Sequence, residues 1–293
     1  GWLPRLSFRR AVCLLLLALL FPACDPKPRH PGPIFNYDLD AFRKTDPALL
    51  AWTELDPLPL PFTQPTALAI GPDHALYVAG DRRVAKLDPQ TAAIRAETTL
   101  DRPVTALVAG PEGRLFAALT NQIARLDGNL QNLSPWEGLG ENARVTSLAL
   151  APDILWIADA GQRCLFAFTP EGRLLAQLDG NSNPALDFVI PSPHFDLLAE
   201  PDKTVWVVNP GNLRLELRSL DNRILKQWGT SSINADGFSG CCNPTDIARL
   251  PDGAFVTAGK GLARLKVHAP DGALREFVAG PESFDPDTVV LAL

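Results

Sequence analysis

The most constraining feature of the chain is a motif that recurs in constant phase: an apolar strand, a proline-led acidic turn and a second apolar strand. Pro72-Asp73, Pro111-Glu112, Pro152-Asp153, Pro201-Asp202 and Pro251-Asp252 mark the turns. Proline presets φ for a turn position and a short acidic side chain accepts from nearby amides, so each pair closes a tight reversal. Upstream lie the matching segments TALAI (66–70), TALVA (105–109), TSLAL (146–150), FDLLA (195–199) and TDIAR (245–249). Downstream, one column carries Tyr77, Phe116, Trp156, Trp206 and Val256, spaced 39, 40, 50 and 50 residues apart. A third strand follows in each unit, as in Val84–Leu87, Ile123–Leu126, Cys164–Phe168 and Leu213–Arg218, and most units add an outer strand.

Residues 240–280 show the unit most fully, with strands expected over Thr245–Leu250, Ala254–Ala258, Ala263–His268 and Ala273–Val278. In the third of these, Leu265 and Val267 alternate with Arg264, Lys266 and His268. That pattern sets the two groups on opposite faces, with His268 at an exposed strand end. Four strands per unit and a period of about 40–50 residues specify a β-propeller, because a lone sheet cannot bury both faces and radial stacking does so. The column of large apolar residues is then inter-blade core. The fold class expected is all-β, a six-bladed propeller with five complete blades. Val289–Leu293 (VVLAL) opens a sixth unit in phase. Its closing outer strand is expected from Leu49–Leu55, within a strand read over Leu49–Leu60, with about 20–30 further residues beyond Leu293.

The stretches PTDIARLPDGAFVTA (244–258) and LALAPDILWIADAGQRCLFAFTPEG (148–172) resemble the NHL-repeat class of six-bladed propellers over about residues 64–293. The chain is also similar to bacterial exported NHL-like lipoproteins whose penultimate blade carries a GCCNP element, here Gly240–Pro244. This resemblance implies an architecture and leaves the activity open.

Three regions follow from composition. Residues 1–23 read as an export signal: Arg5, Arg9 and Arg10 precede the 11-residue apolar run Ala11–Phe21, too short to span a bilayer. The run ends at Ala23-Cys24, which resembles a lipobox with Cys24 as the lipidated residue. Residues 24–36, rich in proline, form an extended tether. Residues 37–293 hold the propeller, with a short helix expected around Asp38–Lys44 at its start. The whole chain carries a net charge of −6, and removing the signal takes away three arginines and no carboxylate. An acidic surface argues against nucleic acid as a partner. The expected location is the periplasmic face of a bacterial membrane, held by a lipid anchor, with the propeller monomeric.

Laying the fourth unit on the fifth sets His194 over Pro244, Asp196 over Asp246, and Pro191-Ser192 over Cys241-Cys242. These positions open the innermost strands, so one mouth of the central channel gathers His194, Asp196, Cys241, Cys242, Asn243 and Asp246. Such a group suits a transition metal held by Cys241, Cys242 and His194, or contact with a redox partner. The alternative is that the aspartates cap backbone amides and the cysteines staple a loop. Cys164, in an apolar strand, reads as a buried small hydrophobe. The Gly259-Lys260-Gly261 segment reads as a turn between second and third strands. No nucleophile elbow, phosphate loop or HExxH motif is present.

The leading functional expectation is therefore a non-catalytic, membrane-tethered binding or scaffold protein with an envelope protein as partner and no cofactor. The alternatives are a redox-linked or metal-binding accessory protein, and a metal-dependent hydrolase or lyase.

Overall fold

A computed structural model describes residues 40–136 and 138–284. Five four-stranded antiparallel sheets follow one another, each with its strands in chain order. Blade 1 holds β1 (Pro65–Ile70), β2 (Leu76–Gly80), β3 (Arg83–Leu87) and β4 (Ile94–Thr99). Blade 2 holds β5 (Ala106–Ala109), β6 (Leu115–Ala118), β7 (Ile123–Leu126) and β8 (Asn132–Pro135). Blade 3 holds β9 (Val145–Ala151), β10 (Ile154–Asp159), β11 (Cys164–Phe168) and β12 (Leu174–Leu178). Blade 4 holds β13 (Leu197–Ala199), β14 (Val205–Asn209), β15 (Arg214–Arg218) and β16 (Ile224–Trp228). Blade 5 holds β17 (Asp246–Arg249), β18 (Phe255–Gly259), β19 (Arg264–His268) and β20 (Leu274–Ala279). Every acidic turn of the repeat joins the first and second strands of its blade. Asp202 and Asp252 cap theirs by accepting the Thr204 and Ala254 amides at 3.1 and 3.0 Å.

The all-β propeller is thus formed, with five blades among the described residues. Stacking explains why the second strands are apolar on both faces: all of β10 and all of β14 are buried. Tyr77 packs into the seam between blades 1 and 2, Phe116 between 2 and 3, Trp156 between 3 and 4, and Trp206 between 4 and 5. Truncating such an aromatic to alanine costs about 3–5 kcal/mol.

The inner strands pack in the order β1, β5, β9, β13 and β17. Threonines stitch the first three seams. Thr66 donates to the Val104 carbonyl, Thr105 to that of Val145 and Thr146 to that of Phe195, each at 2.7 Å. Blade 4 has Phe195 in the threonine column and cannot repeat this bond.

Three expectations need correction. The segment expected as a strand over Leu49–Leu60 forms a single parallel bridge, Leu50 with Phe277 of β20, after a 3-10 turn at Pro47–Leu49. It therefore borders blade 5; the sixth unit expected at Val289–Leu293 lies outside the described residues. Prolines 57, 59 and 61 lack the amide hydrogens that would extend a ladder. The short helix around Asp38–Lys44 is one 3-10 turn, Asp40–Phe42. His268 does not lie at an exposed strand end: the polar face of β19, with Arg264, Lys266 and His268, is buried. The connection from blade 4 covers it. Lys266 donates to the carbonyls of Ala235 and Gly237 at 3.2 and 2.7 Å, and Arg264 to that of Ile233 at 3.0 Å. His268 bonds Thr257 Oγ1 and the Gly272 carbonyl, both at 3.1 Å. No helix among the described residues is long and apolar enough to cross a membrane.

Candidate functional site at the channel mouth

An antiparallel blade returns its second strand to the end where its first strand began. The turn between β18 and β19 therefore sits beside the segment that enters β17, and the same end of β13 lies next to it. The structure brings Ser192, His194, Cys241, Cys242 and Lys260 together there. Lys260 Nζ donates to Ser192 Oγ at 3.1 Å, across the seam between blades 4 and 5. The Cys241 and Cys242 sulfurs lie 3.1 Å apart as free thiols, Cys241 exposed and Cys242 only 3% exposed.

Asn243 holds this arrangement by its side-chain amide. Its Nδ2 donates to the carbonyls of Ser239 and, at 3.0 Å, Lys260, while Oδ1 accepts the Lys260 amide at 2.8 Å. Asn243 is thus a bracket between the cysteine loop and the lysine turn. It is buried, so its amide group is satisfied internally, as such groups must be.

The electrostatics separate the two thiols. Burial pushes the Cys242 thiol up, but hydrogen bonds from Ser192 and Cys241 and the charge and hydrogen bond of Lys260 bring it below the ordinary value. The Cys241 thiol is pushed up, first by its hydrogen bond to Cys242 and then by that neighbour's charge. His194 is held below the ordinary imidazole value by burial and by the Lys260 ammonium, against the opposing Asp246 carboxylate. A lowered histidine is neutral at pH 7 and can both donate and accept.

Asp196 does not join this group. Its carboxylate turns into the blade seams, where Oδ1 accepts from Ser147 Oγ at 2.5 Å and Oδ2 accepts the Ile247 amide at 2.8 Å. Ser147 Oγ in turn accepts the Leu197 amide at 3.3 Å. Asp196 therefore links blades 3, 4 and 5, doing for blade 4 what threonine does for its predecessors. Burial, and then the nearby Asp246 charge, raise its pKa to about 6. Asp246 itself is exposed at the start of β17.

The candidate metal set does not assemble. Among the described residues no three His, Cys, Asp or Glu side chains converge to hold a metal ion. Cys164 is fully buried in β11, its thiol pushed up to about 12 by burial and then by Asp159 and Asp179. The residue missed from sequence is Lys260; Ser192 was laid over the cysteine pair but given no role. Strand order alone places the β18–β19 turn at the mouth, and that was the signal available for Lys260. Cys24 lies outside the described residues.

Comparison with protein-family models and with curated proteins gives no match. Solved structures do show the fold. Virginiamycin B lyase from Staphylococcus aureus is 16% identical with a TM-score of 0.54, over 74% of this chain and 71% of that one. A catalytically inactive form of the same lyase with quinupristin gives 15% and 0.56, over 75% and 71%. A protein of unknown function from Bacteroides caccae is 11% identical with a TM-score of 0.58, over 75% and 83%. The chain is similar to these as a β-propeller. At such identity the likeness speaks for the fold alone.

Proposed function

We propose that the protein is a membrane-tethered binding protein of the bacterial cell envelope, an NHL-like propeller whose channel mouth engages a protein partner. The observation that supports this most is the convergence of Ser192, His194, Cys241, Cys242 and Lys260 from two blades onto one end. A rigid stack of sheets holds them, and functional groups on a rigid scaffold meet a partner without an ordering cost. The lipobox-like Ala23-Cys24 and the proline-rich 24–36 region support export, lipid anchoring at Cys24 and a flexible reach from the membrane. The acidic balance of the chain suits a partner with a basic patch.

Photo-crosslinking in cells exporting the full chain tests the reading. A crosslinker at exposed Asp246, on the mouth, is expected to trap one discrete protein adduct. The same group at exposed Arg95, on the outer strand β4, is expected to trap none. No adduct from Asp246, or equal adducts from both positions, overturns the assignment of the mouth. Fractionation of the Cys24→Ser form tests the anchor: it should leave the membrane fraction, and its retention there would rule lipidation out.

A further inference from the structure

We propose that Cys241 and Cys242 form a thiol–disulfide exchange site in which Cys241 is the sulfur attacked and Cys242 the sulfur that leaves. The inference deepens the reading of the mouth as a partner-binding face, since the attacking thiol would belong to that partner. It stands on three features of the geometry.

The first is accessibility. Cys241 is exposed and Cys242 is covered, so an incoming group reaches one sulfur of the pair and not the other. The second is the environment of the covered sulfur. Ser192 and Lys260 are fixed relative to each other by their own 3.1 Å hydrogen bond across the seam, and both favour the Cys242 thiolate. Donors aimed at a sulfur stabilise it as a thiolate, and a better-stabilised thiolate leaves faster in exchange. The third is that the loop needs no covalent staple. Asn243 already bridges the cysteine loop to the lysine turn through the bonds given above. Stiffening alone therefore does not account for a cysteine pair at this position.

The chemistry balances as follows. The reduced pair loses two protons and two electrons to an external disulfide, which becomes two thiols, and the Cys241–Cys242 bond forms. A partner thiolate then attacks Cys241 Sγ. The new sulfur–sulfur bond joins partner and Cys241, the Cys241–Cys242 bond breaks, and Cys242 departs with the electron pair beside Lys260 and Ser192. A second partner thiolate attacks the partner's sulfur in the mixed disulfide. Cys241 leaves and takes a proton from water, and the partner carries the disulfide.

The test uses the purified full chain and small reagents. Excess 2,2′-dithiodipyridine, an activated disulfide, should remove two hydrogens from the peptide carrying Cys241 and Cys242, leaving Cys164 unchanged by mass. Toward an aromatic disulfide reporter, Cys242→Ser should react at least about tenfold faster than Cys241→Ser, because only the former keeps the accessible sulfur. Lys260→Met should slow reduction of the oxidised pair by glutathione about tenfold. The Lys260 backbone amide, which Asn243 holds, survives that substitution. Ser192→Ala is a second variant acting on the same sulfur, expected to slow reduction in the same direction. A pair that resists oxidation, equal reactivity of the two single variants, or unchanged reduction in both Lys260→Met and Ser192→Ala with native circular dichroism overturns the proposal. No partner enters these assays, so their failure leaves the crosslinking result standing, and a failed crosslink leaves the chemistry standing.

Discussion

The Asp196 carboxylate accepts the Ile247 amide at 2.8 Å across the seam between blades 4 and 5, on the inner strands of the propeller. Its other oxygen accepts from Ser147 in blade 3. One side chain thus couples three consecutive blades in the place where the threonine stitch lapses.

This gives Asp196 a definite pH signature. Its folded pKa of about 6 lies above the ordinary 3.8, so the folded state holds the proton more tightly. The associated stability is fully present below about pH 3.8 and is lost as pH rises through 6. Asp196→Asn keeps the acceptor for the Ile247 amide and reverses the other bond, its side-chain amide donating to Ser147 Oγ, without the charge. Urea unfolding from pH 4 to 7 should show the variant gaining on the wild type by on the order of 2 kcal/mol. A constant difference across that range would refute the assignment.

Arg218 and Glu216 form a fully buried pair in β15, with Arg218 Nε 2.8 Å from Glu216 Oε2 and its guanidinium 4.1 Å from the Phe188 ring. Removing one partner strands a buried charge. Arg218→Met should cost about 3–5 kcal/mol, at the low end because Arg214 and Asn209 still reach Glu216. Adding Glu216→Gln should recover part of that loss. A double variant less stable than the single one would contradict the stranded-charge account.

Lys266 anchors the connection from Thr230 to Gly237 through two carbonyls and the Phe238 ring at 4.3 Å. Burial, and then the Arg264 charge, bring its pKa down to about 8 from 10.5. The stability linked to this group is present above 10.5 and is lost as pH falls through 8, so it is missing at pH 7. Lys266→Met removes the donors. Hydrogen exchange over residues 230–240 is expected to accelerate in that variant while exchange in blade 2 stays constant. Unchanged exchange in the connection would show that other contacts hold it.

The first and second blades give a comparison within one molecule. Leu107 is 7% exposed where it packs against blade 1, but its counterpart Leu68 is 61% exposed. The equivalents Leu148, Leu197 and Ile247 are all buried. Leu107→Ala should cost about 2–4 kcal/mol by the usual cavity rule. Leu68→Ala should stay within about 0.5 kcal/mol, as for an exposed site. Equal losses in chemical denaturation would show that chain outside the described residues covers Leu68.

Much of the fold was legible because its determinants are local. Turn chemistry and strand alternation act over a few residues, and their repetition at 39 to 50 residues leaves radial stacking as the way to bury both faces of every blade. All five turns, the aromatic column and the buried Cys164 follow from that reasoning. The burial of His268 on the polar face of β19 was not legible, because alternation tells only that two faces differ. Which face meets water depends on the connection that folds over it, and those backbone carbonyls carry no sequence signature.

The candidate site divides along the same line. That Cys241, Cys242 and His194 share one end is a consequence of repeat phase, which is written in the sequence. That Asp196 turns away into the seams, while Lys260 from a different turn reaches Ser192 beside the cysteine pair, was decided by the packing of blade 4 against blade 5. A residue's column records its height along the blade. Its side-chain direction and its partners across the seam arise only once neighbouring sheets stack, because those contacts join residues about 50 to 70 positions apart in sequence.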